Sequence, residues 1–335
     1  MLNTTNNYAD TTDSDSLNAV LDDALRSLRI SGSLLLRETY APPWAIAIPG
    51  AAELGVLLGV GAGVRVVAFH LVEFGHCEIK PEHTEGTLLK AGEMAVCFGG
   101  EAHRIFEGKA PKPQSIETLL AGGQNTQHPD VTQRPAGASL LCGVFLLHHT
   151  AFNPLFAALP PVMRATLSRA GELHNLSGVA RLMAEEIERT AFGRGYVVER
   201  LLEVLCAEAV RANIEAAPRQ EIGWFRGIKD PVVGRAIAAI HLNPGEDWSV
   251  QRLARTVAMS PSRFAARFSE SLGDSPMSYI AKWRMNVACR KLATSRIGID
   301  QIATDVGYES LAAFTRAFKK HVGLPPATWR ARECS

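Results

Sequence analysis

No apolar run in the 335-residue sequence approaches the roughly 18 residues that a membrane helix needs. The longest stretches, 50–63 and 64–72, are interrupted by Glu53, Arg65 and His70. A secretory leader is missing too: MLNTTNNYADTTDSDS is polar and acidic, with neither a basic start nor an apolar segment, so a cytoplasmic address is expected. CxxC pairs are absent. The six cysteines (Cys77, Cys97, Cys142, Cys206, Cys289 and Cys334) are scattered, which excludes a zinc ribbon and points to reduced thiols instead of a disulfide framework. Overall charge bias is also lacking, with 35 Lys and Arg against 34 Asp and Glu. With 47% hydrophobic and 21% charged residues, the chain is neither disordered nor fibrous. Its length suggests two domains.

The balanced total hides an uneven distribution. From Lys229 onward there are 16 basic and 9 acidic residues, and before it 19 basic and 25 acidic. An acidic front and a basic back third are expected where one domain meets a polyanion and the other does not.

Residues 1–16 read as a disordered tail. Leu17, Val20, Leu21, Leu25 and Leu28 follow a helical spacing. From Ser33 to about Thr150, short apolar runs alternate with Gly, Pro and charged turns at intervals near ten residues, the pattern of an antiparallel sandwich or barrel. Residues 107–137 read as a long loop. After Thr150 the period is helical, and 176–189 with 197–214 predict an amphipathic hairpin joined at Gly193-Arg194-Gly195, a candidate dimerisation element. The expected partition is therefore 1–16, 17–150, 151–217, a linker at 218–230, and 231–332.

The basic third repeats itself. Leu253, Ala254 and Val257 recur at an offset of 49 as Ile302, Ala303 and Val306. Phe264, Phe268, Gly273, Pro276 and Tyr279 recur at an offset of 50 as Phe314, Phe318, Gly323, Pro326 and Trp329. Each copy has the grammar of a helix-turn-helix. In the first, Ser249 caps one helix, Ala258-Met259 turns, and Ser260 caps a second helix with Pro261 in its first turn. In the second, Gly307 turns and Ser310 caps. The two phenylalanines of each second helix face inward. Ser262, Arg263, Ala266 and Arg267 then face outward in one copy, and Leu311, Ala312, Thr315, Arg316 and Lys319 in the other. Small and basic outer faces suit close approach to a DNA groove and contact with phosphates or base edges. Between the copies, 276–293 predicts a helix about 27 Å long carrying Lys282, Arg284, Arg290 and Lys291. Such a spacer allows two units to enter successive major grooves about 34 Å apart.

These residues resemble the DNA-binding region of the AraC/XylS family of transcription regulators over 230–332, most closely in IATDVGYESLAAFTRAFKKHVGLPPATWR. The resemblance implies base-facing positions at Ser262, Arg263 and Ala266, and at Glu309, Ala313, Thr315 and Arg316. Ala266 departs from the larger polar residue often found there, so Arg263 and Arg267 are expected to grip phosphates. The front of the chain looks like the cupin-type sensor domain of some members of that family, through the Trp44 strand, AFHLVEFGHCEI, LLKAGEMAVCFGGEAHRI and SLLCGVFLL. The fold class implied is α+β: a cupin-like antiparallel β-barrel with a helical hairpin, then an all-α double helix-turn-helix domain. The implied partners are promoter DNA, an unidentified small-molecule effector, a second copy of the chain and RNA polymerase.

The expected effector pocket involves Trp44, Phe69, His70, Phe98 and His103. A cupin likeness also raises metal-dependent catalysis. The cupin HxH is missing, however, and the spacing of His70, His76, Cys77, Cys97 and His103 fits no known cage, so neither metal nor cofactor nor enzymatic activity is expected. Cys77, Cys97 and Cys142 raise oxidant sensing as an alternative. An alkyl-accepting repair activity would need an activated cysteine beside basic residues, and Cys289 reads as packing.

Overall fold

A computed structural model describes residues 18–333 except 27, 62, 110–111, 124, 126–136, 149–151, 167–173, 190–191 and 217–222. The expected tail at 1–16, Cys334 and part of the linker lie outside the described residues. By its packing the chain forms two units that interleave in sequence. One comprises Ile30–His148 and Leu159–Ala216; the other comprises Met1–Arg29, His149–Ala158 and Ala217–Ser335. The successive blocks expected from composition differ from this. The first helix, α1 (18–26), and the segment around Asn153 pack with the C-terminal helices: the Asn153 side-chain amide donates to the Ala24 carbonyl at 2.7 Å, and Asp23 pairs with Arg290 at 2.8 Å.

The sheet unit holds β1 (Ile30–Tyr40), β2 (Trp44–Ile48), β3 (Arg65–Phe74), β4 (His76–Pro81), β5 (Thr87–Lys90), β6 (Glu93–Cys97), β7 (His103–Glu107), β8 (Gln114–Ser115), β9 (Ala138–Leu147) and β10 (Met163–Thr166). They form two five-stranded sheets, ordered β1-β9-β3-β6-β10 and β5-β4-β7-β2-β8. Trp44, Ile46, Ile79, Leu89, Ile105, Leu140 and Val144 contribute to one buried apolar cluster drawn from both sheets. Helices α2 (Ala51–Leu57) and α3 (Ile116–Leu120) interrupt the strands, whereas α4 (Pro154–Ala158) belongs to the other unit. The hairpin is α5 (His174–Glu188) and α6 (Arg194–Ala216), and α6 packs on β1, where Leu202 sits against Gly32. The first sheet is therefore buried on both faces. That explains why β3 reads as the near-continuous run VRVVAFHLV instead of alternating.

Three local expectations are corrected. The stretch at 107–137 contains β8 and α3, with the Ser115 hydroxyl accepting from the Glu117 amide. The region at 151–217 is not purely helical, because β10 pairs antiparallel with β6; four residues are too few to display a period. The second half of the linker is helix α7 (Trp224–Lys229), whose Trp224 indole donates to the Tyr279 hydroxyl at 3.0 Å.

The helical unit continues with α8 (Pro231–Leu242), α9 (Val250–Thr256), α10 (Pro261–Leu272), α11 (Pro276–Thr294), α12 (Ile299–Asp305), α13 (Leu311–Val322) and α14 (Pro326–Glu333). Phe264 and Phe268 of α10 and Phe314 and Phe318 of α13 are fully buried. Four-residue spacing places each pair on one side of its helix, against the core. Both helices end at a left-handed glycine, Gly273 and Gly323. Among the described residues no helix is long and apolar enough to cross a membrane.

Candidate nucleic-acid interface and sensor cavity

The α9–α10 and α12–α13 pairs occupy the positions the repeat predicts. Ser249 accepts from the Arg252 amide and starts α9. The turn to α10 places Ala258 at φ 53°, and Pro261 opens that helix. Ser260 stands at the cap position, but its side chain accepts no amide, so it does not cap as expected. Ser310 does cap α13, accepting from the Ala313 amide at 3.2 Å. Ser262, Arg263 and Ala266 on α10 are exposed, as are Leu311, Ala312, Arg316 and Lys319 on α13 and Glu309 just before it; Thr315 and Ala313 are half-buried.

The cations of this unit divide into two groups. Along α11 every basic residue is held from within: Lys282 pairs with Asp274 at 2.8 Å, Arg290 with Asp23 at 2.8 Å, and Lys291 with Asp305 at 2.5 Å. Arg284 donates to the carbonyls of Pro244, Glu246 and Gly307 at 2.9, 2.7 and 3.2 Å. Arg267, expected to grip phosphate, is also taken. It binds Asp230 at 2.9 Å, and Asp230 caps α8 by accepting from the Val232 and Val233 amides. Burial pushes the Asp230 carboxyl up, but the Val233 amide, Arg267 and the Val232 amide outweigh it and hold the group below its ordinary value. Among the described residues, no ion pair holds Arg263, Arg316 or Lys319, and all three are exposed. Both second helices thus carry uncommitted charge, as do the exposed Arg255, Arg296 and Arg332 elsewhere in the unit, for which no ion pair is found among the described residues either.

The sheet unit corrects the expected effector pocket. Successive residues of a strand point to opposite faces, so Phe69 and His70 cannot line one space. Phe69 covers Gly143 and stacks on Phe145 at 4.6 Å on the helix-covered face, while Ala68 and Val72 join the cluster between the sheets. Trp44 is buried, stacked on Tyr40 at 4.5 Å, with its indole donating to Glu107 at 3.0 Å. A cavity of about 240 Å³ does open in this unit, and of the five expected residues only His103 lines it, with Cys97, Gly99, Glu101 and Pro161 beside it. A larger space of about 540 Å³ lies in the helical unit beside Trp224, Tyr279 and Lys282. Nothing in the periodicity signals it, because its walls come from distant segments.

His70 and His103 approach each other through Nε2 at 2.8 Å, and His70 Nδ1 lies 3.1 Å from the Cys142 sulfur. Cys97 Sγ is 3.8 Å from His103 Nε2. Burial lowers both imidazoles; His103 adds to the effect on His70, and the Glu101 carbonyl partly offsets it at His103. Burial also pushes the Cys97 and Cys77 thiols up to about 12 and Cys142 well up. Thiols kept protonated are poor nucleophiles, which disfavours oxidant sensing through Cys77, Cys97 and Cys142 as they stand. His76 is exposed near Glu107 and Cys77 lies in the apolar cluster, so neither joins the histidine pair. Cys289 is buried in α11, as expected for packing.

A family described as Cupin matches residues 19–215, and one described as Helix-turn-helix domain matches residues 253–332. The chain is 31% identical to an AraC-like transcription regulator of Streptomyces lividans, over 79% of this chain and 87% of that protein. It is 33% identical to the HTH-type transcriptional regulator AlkR of Acinetobacter baylyi, over 78% of this chain and 86% of that protein. The DNA-binding domain of AdpA, solved in complex with a target DNA, is 30% identical over 31% of this chain and 92% of that chain, with a TM-score of 0.30.

Proposed function

Because the chain belongs to the AraC-like transcription regulators, with a cupin domain ahead of its helix-turn-helix domain, we propose that α10 and α13 are its two recognition helices. On this reading Ser262, Arg263 and Ala266 meet one major groove, and Thr315, Arg316 and Lys319, with Glu309 and Ala313 near the helix start, meet the next. The observation that carries it is the division of cations: those of α11 bond internally, while Arg263, Arg316 and Lys319 are exposed with no ion pair among the described residues. Arg267 is assigned to holding α10 against Asp230.

The sheet unit is the sensor, its effector entering the cavity beside His103 and shifting the population of DNA-competent arrangements. The α5–α6 hairpin leaves Leu182, Tyr196, Val197 and Val204 exposed, apolar surface that suits a second copy of the chain. A dimer raises the local concentration of reading units on DNA. The named relatives are transcription regulators, which supports a regulatory role over an enzymatic one. The test is footprinting across a genome with wild type and Arg316→Ala. Discrete sites lost or broadened in the variant are expected, and an unchanged footprint would remove Arg316 from the reading surface.

A further inference from the structure

A buried cluster in the sheet unit has the donors and spacing of a metal centre. His70 on β3, Cys97 at the end of β6 and His103 at the start of β7 each place one ligating atom within 4.8 Å of the others. We propose that His70, Cys97 and His103 bind one Zn(II) ion through two imidazoles and a thiolate, with a fourth position facing the cavity beside Cys97 and His103.

The donor set is that of tetrahedral zinc, which takes imidazole and thiolate together and keeps an open position where three protein ligands are present. Bonds of about 2.05 Å to nitrogen and about 2.3 Å to sulfur place tetrahedral neighbours roughly 3.3 Å (N to N) and 3.5 Å (N to S) apart. The present separations are 2.8 Å between the two Nε2 atoms and 3.8 Å from Cys97 Sγ to His103 Nε2. Shifts of about 0.5 Å and about 0.3 Å bring these two separations to the tetrahedral values, and the third, from His70 to Cys97, lies within 4.8 Å and closes by at most about 1.3 Å.

The outer contacts point the same way. A ligating histidine usually donates its other ring N–H to a carbonyl or similar acceptor, which fixes the tautomer. His103 Nδ1 lies 3.1 Å from the Glu101 carbonyl, so it donates there and leaves the Nε2 lone pair directed at His70. In the metal-free relay, His70 Nε2–H donates to His103 and the Cys142 thiol donates to His70 Nδ1. That relay satisfies three side chains and leaves Cys97 only a long contact, its buried sulfur 3.8 Å from the already occupied His103 Nε2. When Zn(II) binds, it takes both Nε2 lone pairs and the Cys97 sulfur. The His70 proton moves to Nδ1 and donates to the Cys142 sulfur, and the Cys97 proton leaves to solvent. One proton is released per ion, with no change in oxidation state.

Full-length protein, reduced and stripped with a chelator, is titrated with Co(II) and then Zn(II) while absorbance is followed. One Co(II) per chain is expected, with intense tetrahedral visible bands and a thiolate-to-cobalt charge-transfer band, all abolished by Zn(II). Cys97→Ser should lose the charge-transfer band. Cys142→Ala should keep it while binding about 10-fold more weakly, as expected when an outer partner is removed. His103→Gln should bind at least as weakly. Absence of saturable binding by the wild type, a weak octahedral spectrum, or a charge-transfer band that survives in Cys97→Ser would overturn the site. If Cys97→Ser does not fold, the wild-type spectrum decides alone.

Discussion

The two helix-turn-helix copies share their interiors and differ on their surfaces. Both bury a phenylalanine pair four residues apart and close with a left-handed glycine. Outside, α13 is capped by Ser310 and carries Arg316 and Lys319 with no internal ion pair among the described residues, whereas α10 lacks a side-chain cap and has Arg267 bonded to Asp230. The first half also encloses a neutral imidazole, His241, stacked on Trp283 at 3.6 Å and hydrogen-bonded through Nε2 to the Tyr279 hydroxyl at 2.8 Å. Among the described residues of the second half no buried histidine appears. A duplicated fold thus keeps what packing demands and lets the outer face diverge: α13 presents Arg316 and Lys319, and α10 presents Arg263 alone, since its Arg267 is bonded to Asp230.

The interior similarity can be broken most severely. Phe264→Ala and Phe314→Ala should each cost about 3–5 kcal/mol of stability, to a similar extent in both halves, as read by denaturant unfolding. On the surface the halves should separate. Arg316→Ala is expected to weaken binding to a cognate site by about 1–3 kcal/mol and to flatten its salt dependence. Arg267→Ala should instead lower unfolding stability and change that salt dependence little; an equal loss of the salt slope in both variants would erase the distinction.

Acid sharpens the contrast. Burial, with a smaller contribution from Arg290, depresses His241 from 6.5 to about 3. Below pH 6.5 the unfolded chain binds a proton that the folded one refuses, so stability falls with pH down to about 3. The slope from this group is about 1.4 kcal/mol per pH unit, and His241→Gln should remove it. The smallest effect concerns the caps: Ser310→Ala should cost about 1 kcal/mol and Ser260→Ala only a few tenths.

Much of this was legible in order of signal strength. The repeat, with its glycines and phenylalanines, located α9, α10, α12 and α13 because helix-turn-helix packing imposes fixed spacings. The strand texture located the sheet unit for a similar reason. What failed was orientation. Because the first sheet is covered on both sides, β3 shows no polar–apolar alternation, so the sequence assigns Phe69 and His70 to one pocket although they point oppositely. The meeting of His70, Cys97 and His103 depends on the register of β3 against β6 and of β7 in the facing sheet, which no local pattern states. The spacer's Lys282, Arg290 and Lys291 were visible as charges on a helix, but their partners, Asp274, Asp23 and Asp305, become visible only once the chain is folded.

The Arg284 clasp has a consequence for how target sites are chosen. Its guanidinium ties the loop before α9 to the turn before α13, where Gly307, at φ 81°, leaves no room for a Cβ between Arg284 and the Gly245 carbonyl. On the proposed reading of α10 and α13, two readers locked together in this way cannot rotate independently, and the protein would act as a gauge of helical phase. Adding or deleting a base pair between otherwise intact half-sites should penalise binding as surely as changing a letter within one.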